Sequence, residues 1–197
     1  MKLLEQLDRL LLEHLGIITT SQALGIGISK PIFYAYVKEK NLKRVAHGIY
    51  VSETSWPDSM YMLHLRCAQA IFSHETALFL HDLTDREPTQ YAITVRTGYN
   101  PSKLQADGYK VYTIKGNLHT VGLTKATTSF GHTVPVYNIE RTICDIVRSR
   151  SEIEIQTLQD ALKRYAQLEN KNIRTLMHYA ALFRVERIIR QYLGVLM

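Results

Sequence analysis

Residues 17–51 read IITTSQALGIGISKPIFYAYVKEKNLKRVAHGIYV, and the fold of the N-terminal part turns on how this stretch divides. Thr19-Thr20-Ser21 offers capping hydroxyls for a very short helix holding Ala23 and Leu24, and Gly25-Ile26-Gly27 breaks it. Ser29 is a second N-cap with Pro31 in the first turn, where its missing N–H is harmless, so a helix is predicted through residues 32–40. Residues 42–46 and 49–52 are short strand-like runs about His47-Gly48, a tight hairpin that needs the positive φ glycine supplies. Upstream, Leu3, Leu4, Leu7, Leu10, Leu11, Leu12 and Leu15 recur at helical spacing, with Gly16 as the stop. Helix, short helix, turn, helix and hairpin is the order of a winged helix-turn-helix, whose third helix enters a major groove while the hairpin touches the flanking backbone. A helical cap with an unrelated hairpin is the alternative.

Charge supports the nucleic-acid reading of this stretch. Within residues 28–47, Lys30, Lys38, Lys40, Lys43 and Arg44 face only Glu39. Lys30, Tyr34 and Lys38 are spaced i, i+4, i+8 and share one helix face, while Ile32, Ala35 and Tyr36 are predicted to turn to the core. Lys30 is placed to reach a guanine edge or a phosphate, Tyr34 a phosphate or a thymine methyl, and Lys38 the backbone. In the hairpin, Lys43, Arg44 and His47 are candidates for phosphate contacts, with Arg44 foremost because its planar fork suits phosphate oxygens. Strand alternation sends Lys43 and Arg44 to opposite faces, so one of the two is idle. A merely solvated lysine face is the competing account.

Beyond residue 54 the pattern changes, and Ser55-Trp56-Pro57-Asp58-Ser59 reads as a connector between a domain of residues 1–54 and one of 55–197. Helices are predicted over 59–70 and around Ala77–His81, then strands over 90–96, 109–114, 123–128 and 133–137, the last two a hairpin about Phe130-Gly131-His132. That is a small sheet over about 71–137. From Asn138 the pattern reverts to helix, with Ile139, Ile143, Ile146 and Val147 as one stripe, and helices continue to about 195. The fold class is therefore α+β. Of the net +6 over 197 residues, the segment 141–197 carries an excess of +4, residues 1–55 +2, and the middle none. Arg148, Arg150, Lys163 and Arg164 are candidates for a second polyanion surface, and a dispersed arrangement is equally open.

Several chemistries find no purchase. No run approaches the ~18 apolar residues of a membrane span, and Glu5, Asp8 and Glu13 interrupt the leucine-rich start, so neither a span nor a signal peptide is predicted and a cytoplasmic location is expected. Cys67 and Cys144 have no short Cys-x-x-Cys spacing, and His64, Cys67, His74 and His81 match no closed zinc pattern. Ser73-His74-Glu75 has the residue types of a hydrolytic triad, but sequence neighbours on a turn are not expected to meet as one such triad, and Ser73 reads better as an N-cap. Arg141 and Asp145 at i, i+4 read as a helix ion pair. No catalytic residue, metal or cofactor is assigned. A nuclease using Asp107 and Lys110 is the alternative, with too few acids nearby to favour it.

Four stretches resemble one family. Residues 18–24 leading into Gly27-Ile28-Ser29; Arg44-Val45-Ala46-His47-Gly48-Ile49-Tyr50-Val51; Ser73-His74-Glu75-Thr76-Ala77-Leu78 with Asp82-Leu83-Thr84-Asp85; and residues 136–145 are similar to the AbiEi family. These are antitoxins of type IV toxin–antitoxin systems that bacteria use for abortive phage infection. The resemblance implies an N-terminal winged helix-turn-helix that represses its own operon at inverted repeats in double-stranded DNA. It also implies a C-terminal domain opposing a nucleotidyltransferase toxin without a stable complex between the two proteins.

Overall fold

The leucine stripe forms α1 (Lys2–Glu13), and the chain reverses where Leu15 and Gly16 both take left-handed backbone. In this computed structural model, which describes residues 2–196, the chain is a mixed α+β fold with two sheets, divided into two units. One unit holds the chain up to Ala68 together with Thr127–Thr133, and the other holds Gln69–Ala126 and the chain from Val134 onward. No described helix is long and apolar enough to cross a membrane.

In the first unit, β1 (Ile17–Thr19) precedes α2 (Thr20–Gly25). Thr19 caps α2 through a reciprocal box: Gln22 N–H donates to Thr19 Oγ1 at 3.0 Å, and Thr19 N–H donates to Gln22 Oε1 at 2.8 Å. Gly27, at φ +82°, turns the chain into α3 (Lys30–Glu39), with Ser29 at the N-cap and Pro31 in the first turn. The Ser29 side chain makes no capping bond. β2 (Lys43–Ala46) and β3 (Ile49–Val51) follow, and all three strands form an antiparallel sheet in the order β1-β3-β2. Then comes α4 (Ser59–Arg66).

Leu7, Ile18, Ala23, Ile28, Phe33, Tyr36, Leu42 and Tyr50 make the core of this unit. The inward stripe of α3 is thus Phe33, Tyr36 and Val37, and Ile32 and Ala35, expected inside, are exposed. The reason is payload: an aromatic ring buries ~150–250 Å², more than Ile32 and Ala35 could offer from a neighbouring face. Phe33 meets Tyr50 edge-on at 5.4 Å between centroids, and Tyr36 donates to Asp8 Oδ1 at 2.9 Å, tying α3 to α1.

This unit runs past the 54/55 division read from the sequence because Asp58 gathers groups from far along the chain. Its Oδ1 accepts the amides of Met60 and Tyr61 as the N-cap of α4. Its Oδ2 accepts Thr128 Oγ1 at 2.6 Å and His132 Nδ1 at 2.9 Å. His132 Nε2 lies 3.2 Å from the carbonyl of His14, and its ring stacks on Tyr61 at 4.2 Å.

The second unit is built on β4 (Ile71–Phe72), β5 (Ala92–Arg96), β6 (Lys110–Ile114), β7 (Leu123–Thr127) and β8 (Thr133–Tyr137), in the order β6-β5-β4-β8-β7. β4 runs antiparallel to β5, while β5 with β6 and β4 with β8 are parallel. Parallel neighbours need crossovers. α5 (His74–Leu80), the short α6 (Ser102–Ala106) and α7 (Gly116–His119) lie in the connections. α8 (Ile139–Arg148), α9 (Ile155–Gln167), α10 (Ile173–Leu182) and α11 (Glu186–Leu196) follow. Ile143, Ile146 and Val147 of α8 pack with Leu158, Leu162, Leu176 and Ile189.

Candidate nucleic-acid interface

Once Phe33 and Tyr36 are committed to the core, helical geometry leaves Lys30, Tyr34 and Lys38 on exposed surface. Neither Lys30 nor Lys38 has an ion-pair partner among the described residues. Lys40, one position past α3, is different: its Nζ lies 2.9 Å from Asp8 Oδ1, which holds the Asp8 carboxyl below its usual range. Tyr34, 47% exposed, leans toward Tyr50 of β3 with ring centroids 6.5 Å apart. Together with Lys38, Asn41 and Glu53 these rings line an open hollow between α3 and the sheet.

The hairpin answers which of its cations is available. Lys43 pairs with Val51, Arg44 with Tyr50 and Ala46 with Ile49, so Val45 is an extra residue, a β-bulge. In a regular strand, side chains three positions apart point to opposite faces. His47 lies beyond the strand, in the turn, and meets Arg44 there: Arg44 donates from Nη2 to His47 Nδ1 at 3.1 Å and from Nε to the Ala46 carbonyl at 3.3 Å. Gly48 closes the turn at φ +69°, where a Cβ would be strained. Lys43 is drawn away instead, its Nζ 3.6 Å from Glu53 Oε1. Lys30, Tyr34 and Lys38 therefore form one exposed group, Arg44 and His47 another at the hairpin tip, and Lys43 belongs to neither.

In the second unit the candidate polyanion residues are not drawn together by any described contact. Arg150 donates to the Val147 carbonyl at the end of α8, and Arg164 is forked onto Asp85. Arg148 and Lys163 are exposed.

Two polar arrangements go further than the sequence reading, although the i, i+4 ion pair it expected between Arg141 and Asp145 does form. Arg141, read as half of a helix ion pair, is wholly buried: Nε donates to both Asp145 oxygens at 2.9 and 3.0 Å, and Nη1 to the Leu118 and Val121 carbonyls. Its guanidinium carbon lies 4.1 Å from the Tyr137 ring centre and 3.9 Å from that of Phe183. A Cβ on Gly122 would come within 2.7 Å of Arg141 Cβ, and Gly122 has φ +75°, so the close approach of the start of α8 requires glycine there. Burial pushes the Asp145 carboxyl up to about 6, against the pull of Arg141.

The second arrangement involves Ser73, His74 and Glu75, which do not meet as one triad. His74 and Ser73 do meet, Nδ1 to Oγ at 2.9 Å, because His74 takes a left-handed backbone at φ +50°. His74 also reaches Ser149 Oγ at 3.2 Å and stacks on Tyr112 at 3.5 Å, while Glu75 pairs with Lys110 instead. Ser73 stands at the N-cap of α5 without a side-chain capping bond; its Oγ accepts from Thr94. Burial, with Lys110 close by, holds the His74 ring well below its ordinary pKa. Serine and histidine meet, but the carboxylate is not in line with them. Among the described residues no set of three His, Cys, Asp or Glu side chains converges as metal ligands, and Cys67 and Cys144 are buried and not joined in a disulfide.

No family model matches the chain, and no curated protein matches it. Among solved structures, the crystal structure of RV2827C protein from Mycobacterium tuberculosis is similar, at 13% identity and a TM-score of 0.58, with 98% of this chain and 81% of that one covered. At that identity the likeness is one of fold, and it extends over nearly the whole α+β chain.

Proposed function

We propose that the first unit is a winged helix-turn-helix, with α3 as the recognition helix and the β2–β3 hairpin as the wing, and that the chain binds double-stranded operator DNA as the repressor of its own operon. The observation that carries this reading is the exposed α3 face of Lys30, Tyr34 and Lys38, whose two lysines are unpaired among the described residues, together with the Arg44–His47 tip. Cations held out of internal ion pairs remain available for phosphate, and the bonds from Arg44 to His47 and the Ala46 carbonyl give the tip a fixed geometry. Lys43, diverted to Glu53, is the weakest member of the set.

The resemblance to AbiEi antitoxins extends the proposal. On that reading the operator is an inverted repeat, the second unit opposes a nucleotidyltransferase toxin without a stable complex, and the chain is a bacterial binding protein rather than an enzyme. Co-expression would test the antitoxin part, since the second unit should restore growth without co-purifying with the toxin.

The DNA reading is tested with the quadruple variant Lys30→Ala, Tyr34→Ala, Lys38→Ala, Arg44→Ala and the DNA upstream of the gene. A gel-shift titration should show affinity at least tenfold weaker, and the log–log salt slope should fall by about 0.9 for each phosphate that the variant leaves unneutralised. A folded variant that binds as tightly as the wild type would overturn it. Cleavage of nucleic acid by the purified chain with Mg²⁺ would replace it with the nuclease reading.

A further inference from the structure

The turn between α10 and α11 carries an arginine where the backbone favours glycine. Val185 N–H donates to the Ala180 carbonyl at 2.8 Å and Arg184 N–H to that of Ala181 at 3.2 Å, the pattern of a Schellman motif, and Arg184 occupies its left-handed position at φ +59°. Glycine is the usual occupant because any Cβ is strained there. Arg184 is exposed, so its side chain offers no core packing in return.

Arg184 is also not isolated. With Arg187, Arg190, Glu186, Gln191 and Ala181 it lines a wide-mouthed hollow of about 710 Å³. Glu186 is engaged by Arg190, Nη2 to Oε1 at 2.7 Å, so one charge of the three is compensated. Neither Arg184 nor Arg187 has an ion-pair partner among the described residues. The hollow therefore presents two uncompensated guanidiniums and a third that shares its carboxylate. Three forked donors, with no lysine among them, fit the paired oxygens of phosphate groups. The wide mouth would leave a small ligand largely solvated, whereas a polymer backbone can cross it.

We infer that the hollow of Arg184, Arg187 and Arg190 binds the phosphodiester backbone of a nucleic acid, as a site made of different residues from those of α3 and the wing. It reads charge and spacing rather than base sequence. The strained backbone at Arg184 is the cost of keeping a guanidinium at its rim.

The test uses the full chain carrying the quadruple alanine change of α3 and the wing, so that its outcome does not depend on the operator proposal. Labelled oligonucleotides of about 20 nucleotides, as single-stranded RNA, single-stranded DNA and duplex DNA, are titrated by fluorescence anisotropy at low salt. At least one should bind, and the best binder identifies the source of the phosphates. Adding Arg184→Gly and Arg187→Gln should weaken that binding at least tenfold. Arg184→Gly alone should weaken binding while raising the melting temperature by about 2–4 °C, because glycine relieves the left-handed backbone. Absence of binding in the quadruple variant, affinity unchanged by the two arginine substitutions, or a melting temperature lowered by Arg184→Gly would each overturn the inference. Equal competition by a polyglutamate peptide of matching charge would overturn the assignment to nucleic acid.

Discussion

Lys30 and Lys38 stand on exposed surface without an ion-pair partner among the described residues, whereas Arg141 is buried in the second unit, bonded to both oxygens of Asp145 and pressed between two aromatic rings. All three are cations on amphipathic helices, and sequence spacing treats them alike. The difference lies in what the fold has already satisfied. A cation whose charge is compensated internally, as that of Arg141 is by Asp145, fixes packing, and one left uncompensated is available to a partner. Net charge is therefore informative about binding only after the internally used cations are set aside.

The sharpest way to break that comparison is to remove one member of each kind. Arg141→Met should cost about 3–5 kcal/mol in denaturant unfolding, because it leaves Asp145 buried without its partner. Lys38→Met should stay within about 0.5 kcal/mol, the range of exposed substitutions. A small effect at Arg141 would mean that the buried pair is not structurally important. Pairing Arg141→Met with Asp145→Leu should recover part of the stability, since no charge is then stranded.

Asp58 extends the contrast to the first unit, where one carboxylate accepts four hydrogen bonds. Asp58→Ala should cost about 3 kcal/mol by chemical denaturation, from the missing cap and the stranded Thr128 and His132 groups. It should also raise hydrogen exchange across residues 127–133, and unchanged exchange there would remove Asp58 as the anchor of that segment.

The last effect concerns acid. His74 is buried neutral, with a folded pKa well below the ordinary 6.5, so the unfolded chain binds a proton before the folded one does. Its contribution is present above about pH 6.5 and is lost as pH falls toward the folded value. Thermal melts across pH should therefore show an acid limb beginning near 6.5, shared with the depressed His14 and His119 and opposed below about 6 by the raised Asp145 carboxyl. His74→Asn, which tolerates left-handed backbone, should flatten that limb.

Much of the candidate interface was legible because it is local. Spacing alone places Lys30, Tyr34 and Lys38 together, and His47-Gly48 marks the hairpin. What failed was finer or more distant. Phe33, Tyr36 and Val37 compete with Ile32, Ala35 and Tyr36 for the inward face of a short helix, and ring area rather than periodicity decides between them. β1 has only three residues, too few for alternation to register. Nothing local connects Asp58 to His132, 74 positions apart, or announces that His74 bends backward to reach Ser73. Arg141 and Asp145 show the spacing of a surface pair, and nothing in that spacing announces their burial.

The bulge at Val45 has a second consequence, for how molecules of this protein meet each other. β2 is an outer strand of its sheet, and an open strand edge invites another chain to add itself through main-chain hydrogen bonds. An irregular backbone at Val45, preceded by Lys43 and Arg44, spoils that template. The hairpin that is proposed to grip a duplex is by the same construction a poor seed for fibrous self-association.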